Sequence, residues 1–112
     1  MDVATERQDD VLSVLVSGRI DGSNAAAFEE SVRAAISDSD RAVIMDLEKL
    51  SYISSAGLRV LLMIAKNLSG RDAKLALCAM SDQIREVIEI SGFDKIIPVH
   101  PSKAEALASL DG

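Results

Sequence analysis

The apolar positions of this chain change their period from segment to segment, and the changes divide it into elements. Val11-Leu12-Ser13-Val14-Leu15-Val16-Ser17 is dense in β-branched residues and bounded by acids and Gly18, which predicts a strand. A short edge strand is expected near Val3 to Glu6, with Gln8-Asp9-Asp10 as the turn between the two. Arg19-Ile20-Asp21-Gly22-Ser23-Asn24 carries turn and cap residues. Ala25, Phe28, Val32, Ala35 and Ile36 then recur at helical spacing, with Glu29, Glu30 and Arg33 towards water. After Ser37-Asp38-Ser39-Asp40, the near-continuous apolar run Ala42-Val43-Ile44-Met45-Asp46 suits a strand that is central or covered on both faces.

The rest of the chain is organised around the corner from Leu50 to Leu62, where a buried strand ends and a strongly amphipathic helix begins. The first turn of a helix leaves backbone N–H groups without partners and carries partial positive charge, so it favours a hydroxyl cap or a phosphate. Ser54 is expected to be the N-cap, accepting from the N–H of Ala56 or Gly57. Ile53 and Leu58 then fall at the two positions of a hydrophobic staple. This leaves Ser55 as the first helical residue, with a free hydroxyl. Leu58, Leu61, Leu62, Ala65 and Leu68 form the expected core stripe, while Ser55, Arg59, Met63 and Lys66 fall on the flank or opposite side. Ser69-Gly70 is expected to end the helix with a left-handed glycine.

Beyond it, Lys74 to Cys78 predicts a strand. A helix capped by Ser81 uses Ile84, Val87 and Ile88 and stops at Ser91-Gly92. Ile96-Ile97-Pro98-Val99 predicts a last strand, and its proline indicates an edge or a strand end. Ser102-Lys103-Ala104-Glu105 is a capping box opening a final helix with Leu107 and Leu110. The order of elements predicts a single α/β domain over 1–112, a mixed sheet covered by helices.

Composition narrows the function. At 112 residues, with 48% hydrophobic and 27% charged, the chain is globular. A net charge of −6 argues against nucleic acid or an anionic membrane as partner and suits a basic patch on a protein. Met1 to Glu6 lacks the basic start and apolar core of a signal peptide, and the apolar run Val60 to Ala65 is too short to span a bilayer. A cytoplasmic protein is expected, with the single Cys78 a buried, inert thiol. No enzyme is indicated. Ser55 has no plausible base, since the one histidine, His100, sits in a proline-flanked segment and reads as a surface or turn residue. There is no Gly-x-Ser-x-Gly elbow, no Cys/His metal cluster and no glycine-rich phosphate loop, so neither cofactor nor metal is expected.

The run Asp46-Leu47-Glu48-Lys49-Leu50-Ser51-Tyr52-Ile53-Ser54-Ser55-Ala56-Gly57-Leu58 resembles the signature of the STAS domain, more narrowly that of the stand-alone anti-sigma-factor antagonists of bacteria. Gly18-Arg19-Ile20-Asp21 and Ile90-Ser91-Gly92-Phe93-Asp94-Lys95-Ile96-Ile97 support the resemblance. It implies a small mixed sheet of about four or five strands, with about four helices packed mainly on one side. It also implies partner switching. The unmodified antagonist binds an anti-sigma factor that is itself a serine kinase of the histidine-kinase-like ATPase fold, freeing a sigma factor. Phosphorylation ends that interaction, and a metal-dependent serine phosphatase resets it.

In this family the modified serine lies two residues before the corner glycine, which maps to Ser55. Ser54 stands where many members have Asp and Ala56 where many have a second Ser. Ser54 keeps the capping role and is the alternative modification site. Asp21 matches the family's acid after the second strand, with a dual role as kinase contact and cap of the first helix. Arg59 is placed to pair with a phosphate or with an acid of the partner, and Met63 suits a docking surface. Asp46 and Glu48 read as strand-end residues, and a phosphate on Ser55 is expected to sit beside them and Asp21. The alternative function is a constitutive STAS scaffold subunit of a transport or signalling complex without a sigma factor.

Overall fold

A computed structural model describes residues 1–110. Strands β1 (Asp2–Gln8) and β2 (Val11–Ile20) form an antiparallel hairpin, followed by helix α1 (Ala25–Ala35) and strand β3 (Ala42–Asp46). Strand β4 (Leu50–Ile53) leads into helix α2 (Ser55–Ser69) and strand β5 (Lys74–Cys78). Helix α3 (Asp82–Ser91), a 3₁₀ turn at Phe93–Lys95, strand β6 (Val99–His100) and helix α4 (Lys103–Ser109) complete the described chain. The sheet runs β1-β2-β3-β5-β6, and only the β1–β2 pairing is antiparallel.

The expected mixed α/β sheet forms, with six strands. The extra strand comes from a turn after Asp46, whose Oδ1 accepts the N–H of Glu48 at 3.1 Å. The N–H of Leu50 then donates to the Leu47 carbonyl at 3.1 Å, and the chain re-enters the sheet as β4. Thus β3 covers Val11 to Leu15 of β2, and β4 covers Gly18 to Ile20 of the same strand. A bulge between Gly18 and Arg19, with Gly18 at φ +90, joins the two registers. Arg19 and Ile20 therefore belong to the strand rather than to the following loop.

Alternation along the strands sorts the core into two faces. Leu12, Val14, Val16, Val43, Met45, Leu75 and Leu77 bury against α1, α2 and α3. Val11, Ala42, Ile44 and Cys78 turn to the other face, where Ala106 of α4 covers them. Three helices thus lie on one side and one on the other, as the family resemblance implies.

Three details differ from the sequence reading. Helix α2 buries Gly57, Leu58, Val60, Leu61, Ile64 and Leu68, while Leu62 and Ala65 are only half-buried. The segment from Val60 to Ala65 is apolar at nearly every position, so two stripes satisfy the helical period and only packing chooses between them. Gly70 is right-handed at φ −65; the left-handed residue that turns the chain is Asp72 at φ 60. The last strand is Val99–His100, because a 3₁₀ turn at Phe93–Lys95 takes up the residues before Ile96, and Pro98 immediately precedes β6. In contrast, α3 stops at Ser91 as expected, with Gly92 its left-handed C-cap at φ 79, and Ser81 and Ser102 cap α3 and α4 as expected. At the pole opposite the corner, Arg7 Nε and Nη2 donate to the two carboxylate oxygens of buried Asp40 at 2.9 and 2.8 Å, tying β1 to the loop before β3. Among the described residues no helix is long and apolar enough to cross a membrane.

Candidate functional site

The corner is built by two strand ends lying side by side. Ser54 follows β4, and its N–H donates to the carbonyl of Ile20, the last residue of β2, at 2.9 Å. Ser54 is extended at φ −86, ψ 173, and its Oγ accepts the N–H of Gly57 at 3.3 Å, so it is the N-cap of α2 as expected. Its carbonyl accepts the Leu58 N–H at 2.9 Å, and Ile53 and Leu58 bury in one cluster, as a staple requires. Ser55 begins α2 and is exposed. Among the described residues its hydroxyl has no hydrogen-bond partner.

Gly57 seats the helix. A Cβ there would lie 2.7 Å from Ile53 Cγ1 and 2.8 Å from Ile20 Cγ2, so only a glycine lets α2 start this close to β2 and β4. The sequence marks Gly57 as part of the corner, but not that two buried isoleucines occupy the space of its missing side chain.

Asp21 comes next to Ile20 and so lies beside Ser54. Its carboxylate accepts the hydroxyl and, at 2.9 Å, the N–H of Ser23. These two bonds, with the nearby positive charge of Arg19, hold the carboxyl below its ordinary range. The expected capping role falls elsewhere: the N-cap of α1 is Asn24, without a side-chain cap bond. Asp21 spends its carboxylate on its own turn, and Asn24 closes the loop by accepting the Asp21 N–H and donating to the Arg19 carbonyl, both at 2.9 Å. Arg59 and Met63 stand on the exposed side of α2 with Ser55, and Met63 is 42% exposed.

Two residues join the site that sequence reasoning did not single out. Arg19 pairs with Tyr52 across β2 and β4, and its guanidinium lies 4.4 Å from the centre of the tyrosine ring. Tyr52 is 41% exposed, a large apolar face next to the corner. Their pairing spans two distant stretches of chain, and only the register of β4 on β2 reveals it. Asp46, in turn, does not gather at the corner. Asp46 pairs with Leu15, whereas Ile53 pairs with Ile20, a displacement of about 16 Å along the strand.

Other chemistry is quiet. Cys78 is fully buried, and burial pushes its thiol up to about 11. His100 lies half-buried in β6, cross-strand from Cys78. Among the described residues no group of three or more His, Cys, Asp or Glu is arranged to hold a metal ion.

This geometry has relatives. The STAS domain profile matches residues 2–106. BtrV of Bordetella bronchiseptica, assigned as an anti-sigma factor antagonist, is 39% identical over 109 residues, covering 97% of this chain and 94% of its own. The crystal structure of an anti-sigma factor antagonist from Mycobacterium paratuberculosis superposes with a TM-score of 0.89 at 30% identity, covering 99% of this chain and 94% of that one. The Bacillus cell fate determinant SpoIIAA in its phosphorylated form shares the fold, with a TM-score of 0.73 at 19% identity, over 97% of this chain and 99% of its own. A profile match over nearly the whole chain, and a relative this similar end to end, place the protein in the STAS domain family, among the anti-sigma factor antagonists.

Proposed function

We propose that the chain acts in the cytoplasm as a partner-switching antagonist, working by binding rather than catalysis. Unmodified, the corner and the exposed face of α2 dock on an anti-sigma factor that is a serine kinase of the histidine-kinase-like ATPase fold, and a sigma factor is freed. Phosphorylation of Ser55 ends docking, and a serine phosphatase restores it. Asp21, Ser54, Ser55, Arg59 and Met63 contribute the contact surface.

The observation that carries this reading is the exposed, unbonded hydroxyl of Ser55 at the first position of α2, next to a capping serine already committed to Gly57. A phosphate there brings roughly −1.5 to −2 charges to the positive end of a helix, which tolerates them. The helix therefore survives modification and the effect falls on the docked surface. There a misplaced charge costing about 1.4 kcal/mol weakens binding tenfold. That a fold relative, SpoIIAA, has been solved in both unphosphorylated and phosphorylated forms agrees with this picture.

The test incubates the purified chain with its cognate kinase and ATP, maps the product by mass spectrometry, and measures kinase binding by titration calorimetry. Phosphate is expected on Ser55 and lost in Ser55→Ala, and Ser55→Asp is expected to bind weakly with an unchanged circular dichroism spectrum. Phosphate on Ser54 instead overturns the site assignment. Equal binding of modified and unmodified chain overturns the switch and leaves a constitutive scaffold.

A further inference from the structure

The chain carries a net charge of −6, yet α2 contains Arg59 and Lys66 and no acid at all. The cations of α1 and α3 are used internally: Arg33 of α1 pairs with Glu29 at 2.8 Å, and Arg85 of α3 with Glu89 at 3.8 Å. Among the described residues Arg59 and Lys66 have no ion-pair partner, and both are exposed. Seven residues apart, they project from the same side of the helix about 10 Å from each other, with exposed Met63 between them along the chain. The strip is cationic with one apolar anchor, whereas α1, which packs against α2, carries Glu29 and Glu30. The overall charge of −6 repels extended polyanions and suits basic groups elsewhere on a partner, but opposite this narrow strip the matching surface is a small acidic patch.

We propose that the partner surface opposite α2 is acidic, and that a phosphate on Ser55 ends docking by engaging Arg59. This rests on the reading that α2 docks and Ser55 is modified. Residues four apart on a helix face one another, so Ser55 and Arg59 stand one turn apart, and a guanidinium binds phosphate through charge-assisted hydrogen bonds. Modification then does two things at once. It offsets the two positive charges of the strip, and it withdraws the arginine nearest the corner from the partner's carboxylates.

The test installs phosphoserine at position 55 during translation, so that no kinase is needed, and follows the phosphate by ³¹P NMR titration. The second phosphate ionisation is expected below its ordinary value of about 6, and to rise in Arg59→Gln. An unchanged titration overturns the capture. In parallel, the unmodified chain is titrated against the purified anti-sigma factor kinase. Arg59→Glu and Lys66→Glu are each expected to weaken binding about tenfold, with Arg59→Lys retaining most of it. Wild-type affinity is expected to fall as salt is raised from roughly 50 to 500 mM. Charge-reversed variants that bind as tightly as wild type, or tighter, overturn the acidic partner surface while leaving docking intact. A wild-type chain that binds no such kinase defeats the docking reading itself. Binding of duplex DNA or anionic vesicles that is lost in Arg59→Glu replaces the acidic protein with a polyanion.

Discussion

Gly57→Ala tests the seating of α2 on the strand ends, which sets where Ser55 stands. Ordinary contact begins near 3.4 Å, so a Cβ at 2.7 and 2.8 Å from the two isoleucines is 0.7 and 0.6 Å too close. Neither neighbour yields easily. Ile20 is fully buried and Ile53 is 4% exposed, and the close atoms are γ-carbons near the backbone rather than flexible ends. Overpacking of this kind costs about 1–3 kcal/mol, and the better helix propensity of alanine returns at most about 1 kcal/mol. The net expectation is a loss of about 1–2 kcal/mol, read from the urea midpoint of unfolding followed by far-ultraviolet circular dichroism. Each kcal/mol corresponds to about 4–8 °C in melting temperature for a domain near this size. In an Ile53→Ala background the closest of the two clashing carbons is gone, so the same substitution is expected to cost less by at least about 0.5 kcal/mol. A Gly57→Ala protein as stable as wild type, or more so, refutes the reasoning, because it shows that α2 slides off the sheet without cost. Where the loss appears, the docking proposed above implies weaker kinase binding as well, since the corner moves with the helix.

Three further outcomes follow from the geometry. Ser54→Ala removes the cap on Gly57 and is expected to cost about 1 kcal/mol in urea unfolding, whereas Ser54→Asp restores most of it. Asp40→Asn breaks the two-pronged bond from Arg7 and is expected to cost about 2 kcal/mol. Arg7 holds the Asp40 carboxyl below its unfolded value, so the carboxylate's contribution is full above the ordinary carboxylate range and lost as pH falls through the folded value. An acid titration of stability should therefore flatten in Asp40→Asn. Ala79, at the end of β5, is left-handed at φ 61, so Ala79→Gly is expected to raise stability by about 0.5–1 kcal/mol, measured as an increased urea midpoint.

The sequence by itself determined the local features. The strand at Val11, the helix beginning at Ala25, the Ser54, Ser81 and Ser102 caps and the stop of α3 at Ser91-Gly92 each follow from residues within a turn or two of one another. The position of Ser55 at the head of an amphipathic helix is legible for the same reason, and the family resemblance supplies its meaning. Only the tertiary structure decided what depends on residues far apart in the chain. The β4 register on β2 brings Arg19 to Tyr52 and carries Asp46 away from the corner. The fit of α2 on Ile20 and Ile53 explains Gly57 and selects Val60 and Ile64 for the core over Leu62 and Ala65. Asp21 read as a helix cap because its residue type suits one, and its actual bonds to Ser23 depend on where the turn folds back. Propensity and periodicity are set by neighbours three or four residues away, whereas register and close packing are set by partners tens of residues away, whose choice no local pattern contains.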